Sequence, residues 1–262
     1  MSRTILICTG LAAAALMPAA FATAQEAAAQ PLASPKEWLQ ARQREMEQYE
    51  FTLDQASQRL DLQPRSLLNW SNAERGADVG ALFLWTDKGR PQLIACAFGR
   101  DRSLRHEFHS LSETSLSARR DGSEIHRFDP GLAWQMLPQA PAAAKERPLR
   151  LAQMRRQAQR FRVVMGNRDA AEMRLLTQPL YRSPAELDED IALFVFVQGT
   201  DPECVLQLQV AAEGVWQYAI TRQTKWPVRV DLDGKVVAEY PSIGKTPAGS
   251  PFLVLTPPAA AN

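Results

Sequence analysis

Cysteine and histidine are both scarce, at three each in 262 residues. Cys8 lies in the leader described below, which leaves Cys96 and Cys204. Two thiols cannot make the dense framework on which small disulfide-dependent folds rely. Both lie in apolar strand-like runs, "LIACAF" and "ECVLQLQV", so one bridge and two buried free thiols are both open. No sign of charge dominates either. Thirty Lys and Arg stand against twenty-nine Asp and Glu, which removes any general pull towards nucleic acid or a membrane surface. Beyond the leader no apolar run approaches the roughly 18–20 residues that a membrane span needs. There is no P-loop, G-x-G-x-x-G, C-x-x-C or G-x-S-x-G motif. No cofactor is expected, and no serine nucleophile on a sharp elbow.

What is present begins with that leader. "MSRTILICTGLAAAALMPAAFATAQ" carries Arg3, an apolar run from Ile5 to Ala15, a break at Pro18, and Ala22-Thr23-Ala24 before Gln25. This is the layout of a secretory signal peptide cleaved after Ala24. Residues 1–24 are therefore read as signal peptide and 25–35 as a flexible lead-in. The mature chain is expected to be exported, periplasmic or extracellular, without a membrane span. With 45% hydrophobic and 23% charged residues, it has the composition of an ordinary globular protein.

The remainder repeats itself. "ALFLWTDKGRPQ" (81–92) and "ALFVFVQGTDPE" (192–203) share Ala, Leu, Phe and Pro at a spacing of 111 residues. Trp85 with Phe196, and Trp70 with Tyr181, keep the same step. Asp121-Gly122 and Asp233-Gly234 follow at 112, as do Phe128 and Tyr240. Agreement over the whole length favours an internal duplication over a chance match between two strand-rich stretches. Each copy reads as a helix followed by short β-rich runs, and each Asp-Gly pair as a two-residue hairpin turn. The predicted fold class is α+β: two tandem helix-plus-antiparallel-meander repeats related by pseudo-two-fold symmetry. The first covers 36–142, the linker 143–147 and the second 148–258. In the first helix, Ser34, Pro35 and Glu37 form a capping box, with Trp38, Leu39 and Met46 facing inward. In the second, Leu149, Met154 and Phe161 are expected inward.

Two of the histidines sit in "HEFHS" (106–110). On a strand, His106, Phe108 and Ser110 share one face, and Glu107 and His109 the other. The two imidazoles cannot then hold one ion, and the spacing is not that of H-E-x-x-H. No metal site is expected. Aligned with "WQYAI" (216–220) by a two-residue slip, His106 replaces an aromatic. One reading is a half-buried histidine satisfied by a neighbouring carbonyl. The other is a polar recess between the copies, lined by His106 and Glu107 with Arg90, Trp85 and Trp70. These five are the candidate ligand-binding residues.

The concentrated charge lies around the second helix, where Lys145, Arg147, Arg150, Arg155, Arg156, Arg160 and Arg162 oppose Glu146 alone. The simplest reading is a solvated face paired with the acidic "AELDED" (185–190). The sharper one is an anion site on Arg156 and Arg160, four apart on one helical face.

"LLNWSN", "LFLWTDKGRPQ", "HEFHSLS", "QMRRQAQRF", "QPLYR" and "ALFVFVQGTDPE" together resemble a family of exported proteins of planctomycete-type bacteria, without assigned activity. The resemblance spans nearly all of the mature chain, and the last motif is the most distinctive. It implies export and supplies no catalytic residues. The expected function is that of a soluble envelope protein, leaning away from an enzyme, that binds a ligand or a protein partner in the cleft between its copies. A hydrolase with a site near His106 and Glu107, and a carrier of an apolar, lipid-like molecule, are the competing readings. Nucleic acid is not an expected partner.

Overall fold

Ser34 opens the first helix as its sequence predicts. Its hydroxyl accepts the N–H of Glu37 (3.3 Å), and the Glu37 carboxylate accepts the N–H of Ser34 (2.8 Å), with Pro35 at the first helical position. The structure is a computed structural model that describes residues 34–257 apart from 56, 73–77, 100–103, 167–169 and 212. The expected signal peptide and its cleavage site lie outside the described residues.

Helix α1 (Pro35–Met46) is followed by β1 (Tyr49–Leu53), β2 (Gln58–Arg59), β3 (Asp61–Leu62), β4 (Leu68–Asn72), β5 (Asp78–Asp87), β6 (Arg90–Phe98), β7 (Arg105–Ser110), β8 (Leu116–Arg120), β9 (Ser123–Phe128) and β10 (Gln135–Met136). Helix α2 (Arg147–Ala158) has no side-chain cap at Glu146. It is followed by β11 (Phe161–Met165), β12 (Ala171–Glu172), β13 (Arg174–Leu175), β14 (Tyr181–Arg182), β15 (Asp190–Gln198), β16 (Asp201–Val210), β17 (Trp216–Arg222), β18 (Val228–Leu232), β19 (Lys235–Tyr240) and β20 (Phe252–Leu255).

All strand pairings among the described residues are antiparallel, and with two helices the architecture is mostly antiparallel sheet, consistent with an α+β or mainly-β fold. Two small sheets have the orders β2-β1-β8-β9 and β12-β11-β18-β19. Two larger ones run β20-β7-β6-β5-β3, with β4 also on β5, and β10-β17-β16-β15-β13, with β14 also on β15. Two strands cross between the halves of the chain. The last strand, β20, completes the sheet of β3–β7, and β10 completes that of β13–β17.

Local chemistry explains the turns. Asp121 and Gly122 have φ of 50° and 76°, and Asp233 and Gly234 of 49° and 78°, the doubly left-handed turn that matches strand twist. Pro91 and Pro202 pair with Thr86 and Val197 where each ladder slips just beyond Trp85 and Phe196. A bulge tolerates a residue without an N–H.

Three cores hold the layers together. Met46, Phe51, Trp85, Phe108 and Phe128 pack α1 and the first small sheet on one face of the β5–β7 sheet. Met154, Phe161, Phe194, Leu206 and Tyr218 do the same for α2, the second small sheet and the β15–β17 sheet. Leu82, Leu84, Ile94, Leu193, Val195 and Val205 join the two large sheets face to face.

One expectation fails and one open choice is decided. Leu149 does not face inward: it is 59% exposed, and α2 buries Met154, Gln157 and Ala158 instead. Its first turn is held by arginines around Asp190 rather than by apolar packing. Phe161, buried as expected, lies on β11 beyond the helix. Cys96 and Cys204 are both free and buried, one in the core between the large sheets and the other in the α2 core, so no bridge joins them. No described helix is long and apolar enough to cross a membrane.

Candidate functional site

The alternation of "HEFHS" sends its two histidines into different environments. His106 faces α1 and β1. Its Nδ1 lies 2.8 Å from the Tyr49 hydroxyl and its Nε2 3.0 Å from Glu45 Oε2. Arg120 donates to the Tyr49 oxygen at 2.9 Å, and Arg42 donates to the other oxygen of Glu45 at 2.7 Å. Burial lowers the pKa of His106 despite the hydrogen bond to Glu45. Burial likewise pushes the Tyr49 hydroxyl up to about 12, against the opposing pull of Arg120. The imidazole is therefore neutral and Tyr49 protonated at neutral pH. Every donor then finds an acceptor: Arg120 to Tyr49, Tyr49 to Nδ1, and Nε2–H to Glu45. His106 is satisfied by side chains, not by a backbone carbonyl. With no exposed surface of its own, it cannot meet a ligand.

His106 packs edge-on against Tyr49 (5.7 Å) as Tyr218 does against Phe161 (5.1 Å). Glu45, Tyr49, His106 and Arg120 come from four separate elements, α1, β1, β7 and β8, and no motif in "HEFHS" names these partners.

Glu107 and His109 face the opposite large sheet. His109 Nε2 meets Glu107 Oε1 at 2.9 Å, both are buried, and Phe252 of β20 lies against the imidazole at 4.6 Å. Burial lowers the His109 pKa, with Glu107 opposing and Arg222 of β17 reinforcing the shift. The third histidine, His126, donates to the Ser250 carbonyl at 2.9 Å, which ties β9 to the segment before β20.

The five residues expected to line one recess are therefore dispersed. His106 and Glu107 lie on opposite faces of β7. Trp85 is sealed in the α1 core. Trp70 is buried between the large sheets and covers Gly80 so closely that a Cβ there would fall 2.2 Å from the indole. Only Arg90 reaches an opening.

That opening is a cleft of about 220 Å³ at the start of β6, bounded by the β1–β2 turn and the segment after β7. Leu53, Leu111 and Leu132 make its apolar wall, and Gln55, Arg90, Gln92, Ser112, Glu113 and Thr114 supply polar groups. Arg90 is bracketed by Glu113 at 3.2 Å and by Glu189, from the segment before β15, at 3.0 Å. Gln92 is buried in the wall of this cleft. Gln92 and Glu189 lie in stretches singled out by the repeat and by the acidic run, but neither they nor Glu113 belong to a motif that would bring them to one site. A second cleft of about 200 Å³ lies between residues 130–135 and Ile220, Ala238 and Tyr240.

The basic stretch is largely engaged. Asp190 takes Arg150 at 2.8 Å, Arg182 at 2.5 Å and Arg147 at 3.5 Å. Burial alone would raise its pKa, but the hydrogen bonds from Arg182 and Arg150 hold it below the usual carboxylate range. The acidic run does pair with the helix, through Asp190, while Glu189 goes to Arg90. Arg160 lies beyond the end of α2 and binds Asp233 in the β18–β19 turn and the Pro138 carbonyl. Arg156 is exposed on the helix. The two do not form a pair on one helical face.

Among the described residues no three His, Cys, Asp or Glu side chains stand close enough to hold a metal ion. No protein-family model, curated protein or solved structure matches the chain.

Proposed function

We propose that the chain is an exported binding protein without catalytic activity. In this reading it consists of two tandem copies of one helix-and-meander unit, related by a pseudo-two-fold axis, with its ligand site where the units meet. Several features support the duplication. Adding ten to each of β1–β9 turns the sheet orders of the first unit into those of the second, with β20 and β10 exchanged at the outer edges of the two large sheets. The bulges beyond Trp85 and Phe196, and those beyond Ala118 and Val230, recur at the spacings of the sequence repeat. Each long hairpin also leans on the other unit: Tyr181 donates to the Gly89 carbonyl (2.7 Å) and Thr200 to that of Ser71 (2.6 Å). Export rests on the leader and on the likeness to an exported family.

One observation carries the binding reading. Arg90 stands at an open cleft between carboxylates from both units, with Gln92 beside it in the lining. Such convergent polar groups on an apolar wall are what a small-molecule site requires. A hydrolase centred on His106 and Glu107 has less support, because both side chains are buried and point to opposite faces. A lipid carrier has less support too, since the Arg90 cleft carries charged and polar side chains in its lining.

Native mass spectrometry of the protein isolated from its own host tests this reading. The expected species begins at Gln25 and carries a small adduct that is lost on unfolding and reduced by Arg90→Ala. A bare chain that hydrolyses ester or glycoside reporters, and loses this activity in Glu107→Gln, would overturn it.

A further inference from the structure

We infer that the Arg90 cleft binds a small, neutral, polyhydroxylated molecule the size of one sugar ring, read by Gln92 and Glu113. The inference rests on the binding reading above and adds the ligand class.

Charge speaks first. Arg90 contributes one positive charge, and Glu113 and Glu189, each within 3.2 Å of it, contribute two negative ones. A phosphate or carboxylate approaching the guanidinium would meet two carboxylates already using its N–H groups. The site therefore does not select an anion.

Hydrogen-bond type narrows the class. Glu113 only accepts, Arg90 only donates, and the Gln92 carboxamide does both. A hydroxyl also does both, so neighbouring hydroxyls can donate to Glu113 while exchanging bonds with Gln92. An ammonium ion can only donate and a phosphate dianion only accept, and either leaves part of this set unmet. Gln92 is 6% exposed and lines the cleft, which leaves its carboxamide within reach of a ligand hydroxyl.

Shape agrees. Leu53, Leu111 and Leu132 offer the C–H surface that the apolar face of a sugar ring needs. A volume of about 220 Å³ admits one ring and excludes a long oligomer lying wholly inside.

The test uses the whole mature chain. Saturation-transfer NMR would be run with glucose, N-acetylglucosamine and myo-inositol as neutral probes, and with glucosamine and glucose 6-phosphate as charged ones. At least one neutral probe is expected to bind, with affinity falling tenfold or more in Gln92→Leu. Should that variant misfold, Glu113→Gln, at a site where the side chain is 53% exposed, is expected to weaken the same probe. Binding confined to the charged probes, or indifferent to both substitutions, would overturn the inference and leave the binding reading standing. The same holds if no probe binds while host-purified protein carries an adduct. If neither probe nor adduct binds, both readings fail.

Discussion

At the scale of single residues, the chain's histidines are structural. His106 closes a run of side chains from Arg120 through Tyr49 to Glu45 that works only while the imidazole is neutral. A proton on Nδ1 would turn the acceptor of the Tyr49 hydroxyl into a second donor facing the Tyr49 oxygen beside Arg120, and leave the Tyr49 hydrogen without its acceptor. His109 is buried just as deeply beside Glu107 and Arg222. Both folded pKa values are lowered from 6.5, chiefly by burial. The unfolded chain therefore takes up these protons first as pH falls. The stabilisation is complete above about 6.5 and is lost progressively below it, at about 1.4 kcal/mol for each unit of depression. Urea unfolding between pH 8 and 5 should show falling stability. In the His106→Gln, His109→Gln double variant the slope between pH 7 and 5 should shrink. An unchanged slope would place the acid sensitivity elsewhere.

At the scale of elements, α2 depends on one carboxylate. Asp190 opens β15 and receives Arg147 and Arg150 from α2 and Arg182 from β14. Removing it leaves three guanidiniums that retain 17–27% of their side-chain exposure. Asp190→Ala is expected to cost about 2 kcal/mol or more, short of the roughly 3–5 of a fully buried pair because the arginines keep contact with water. Arg156→Gln, on the exposed face, should stay within about 0.5 kcal/mol. Chemical denaturation of both variants checks the contrast, and equal effects would contradict it. The basic character of α2 was evident in the sequence. Its partner was not, because four acidic residues within the six positions 185–190 give no hint of which one folds inward.

At the scale of the whole molecule, the exchange of β10 and β20 ties the halves together. Phe252, Leu253, Val254 and Leu255 pair with His109, Phe108, Glu107 and His106, and cover the edge of β7. An uncovered edge is a template for pairing with another chain. Ending the chain at Gly249 is therefore expected to lower the melting temperature and to cause concentration-dependent association. Light scattering coupled to size exclusion would detect it. A monomeric truncated chain with an unchanged melting temperature would show β20 to be dispensable.

Sequence alone determined what depends on near neighbours. The cap at Ser34, the left-handed Asp-Gly turns and the opposite facing of His106 and Glu107 follow from backbone stereochemistry within four residues, and all were legible. So was the spacing that separates the halves, since it is a property of the string itself. Only the tertiary structure decided which distant groups meet. Tyr49 and Glu45 reach His106 across 57 and 61 positions, and Glu189 reaches Arg90 because two sheets pack face to face. Strand exchange places β20 on β7 although the hairpin order would have kept it with its own half. Leu149, apolar and on a helix, was left in solvent because the geometry of the arginine cluster set how α2 sits. Local rules limit the directions in which a side chain can point, but partners are chosen by the packing of whole surfaces, where burial and hydrogen-bond satisfaction are met together.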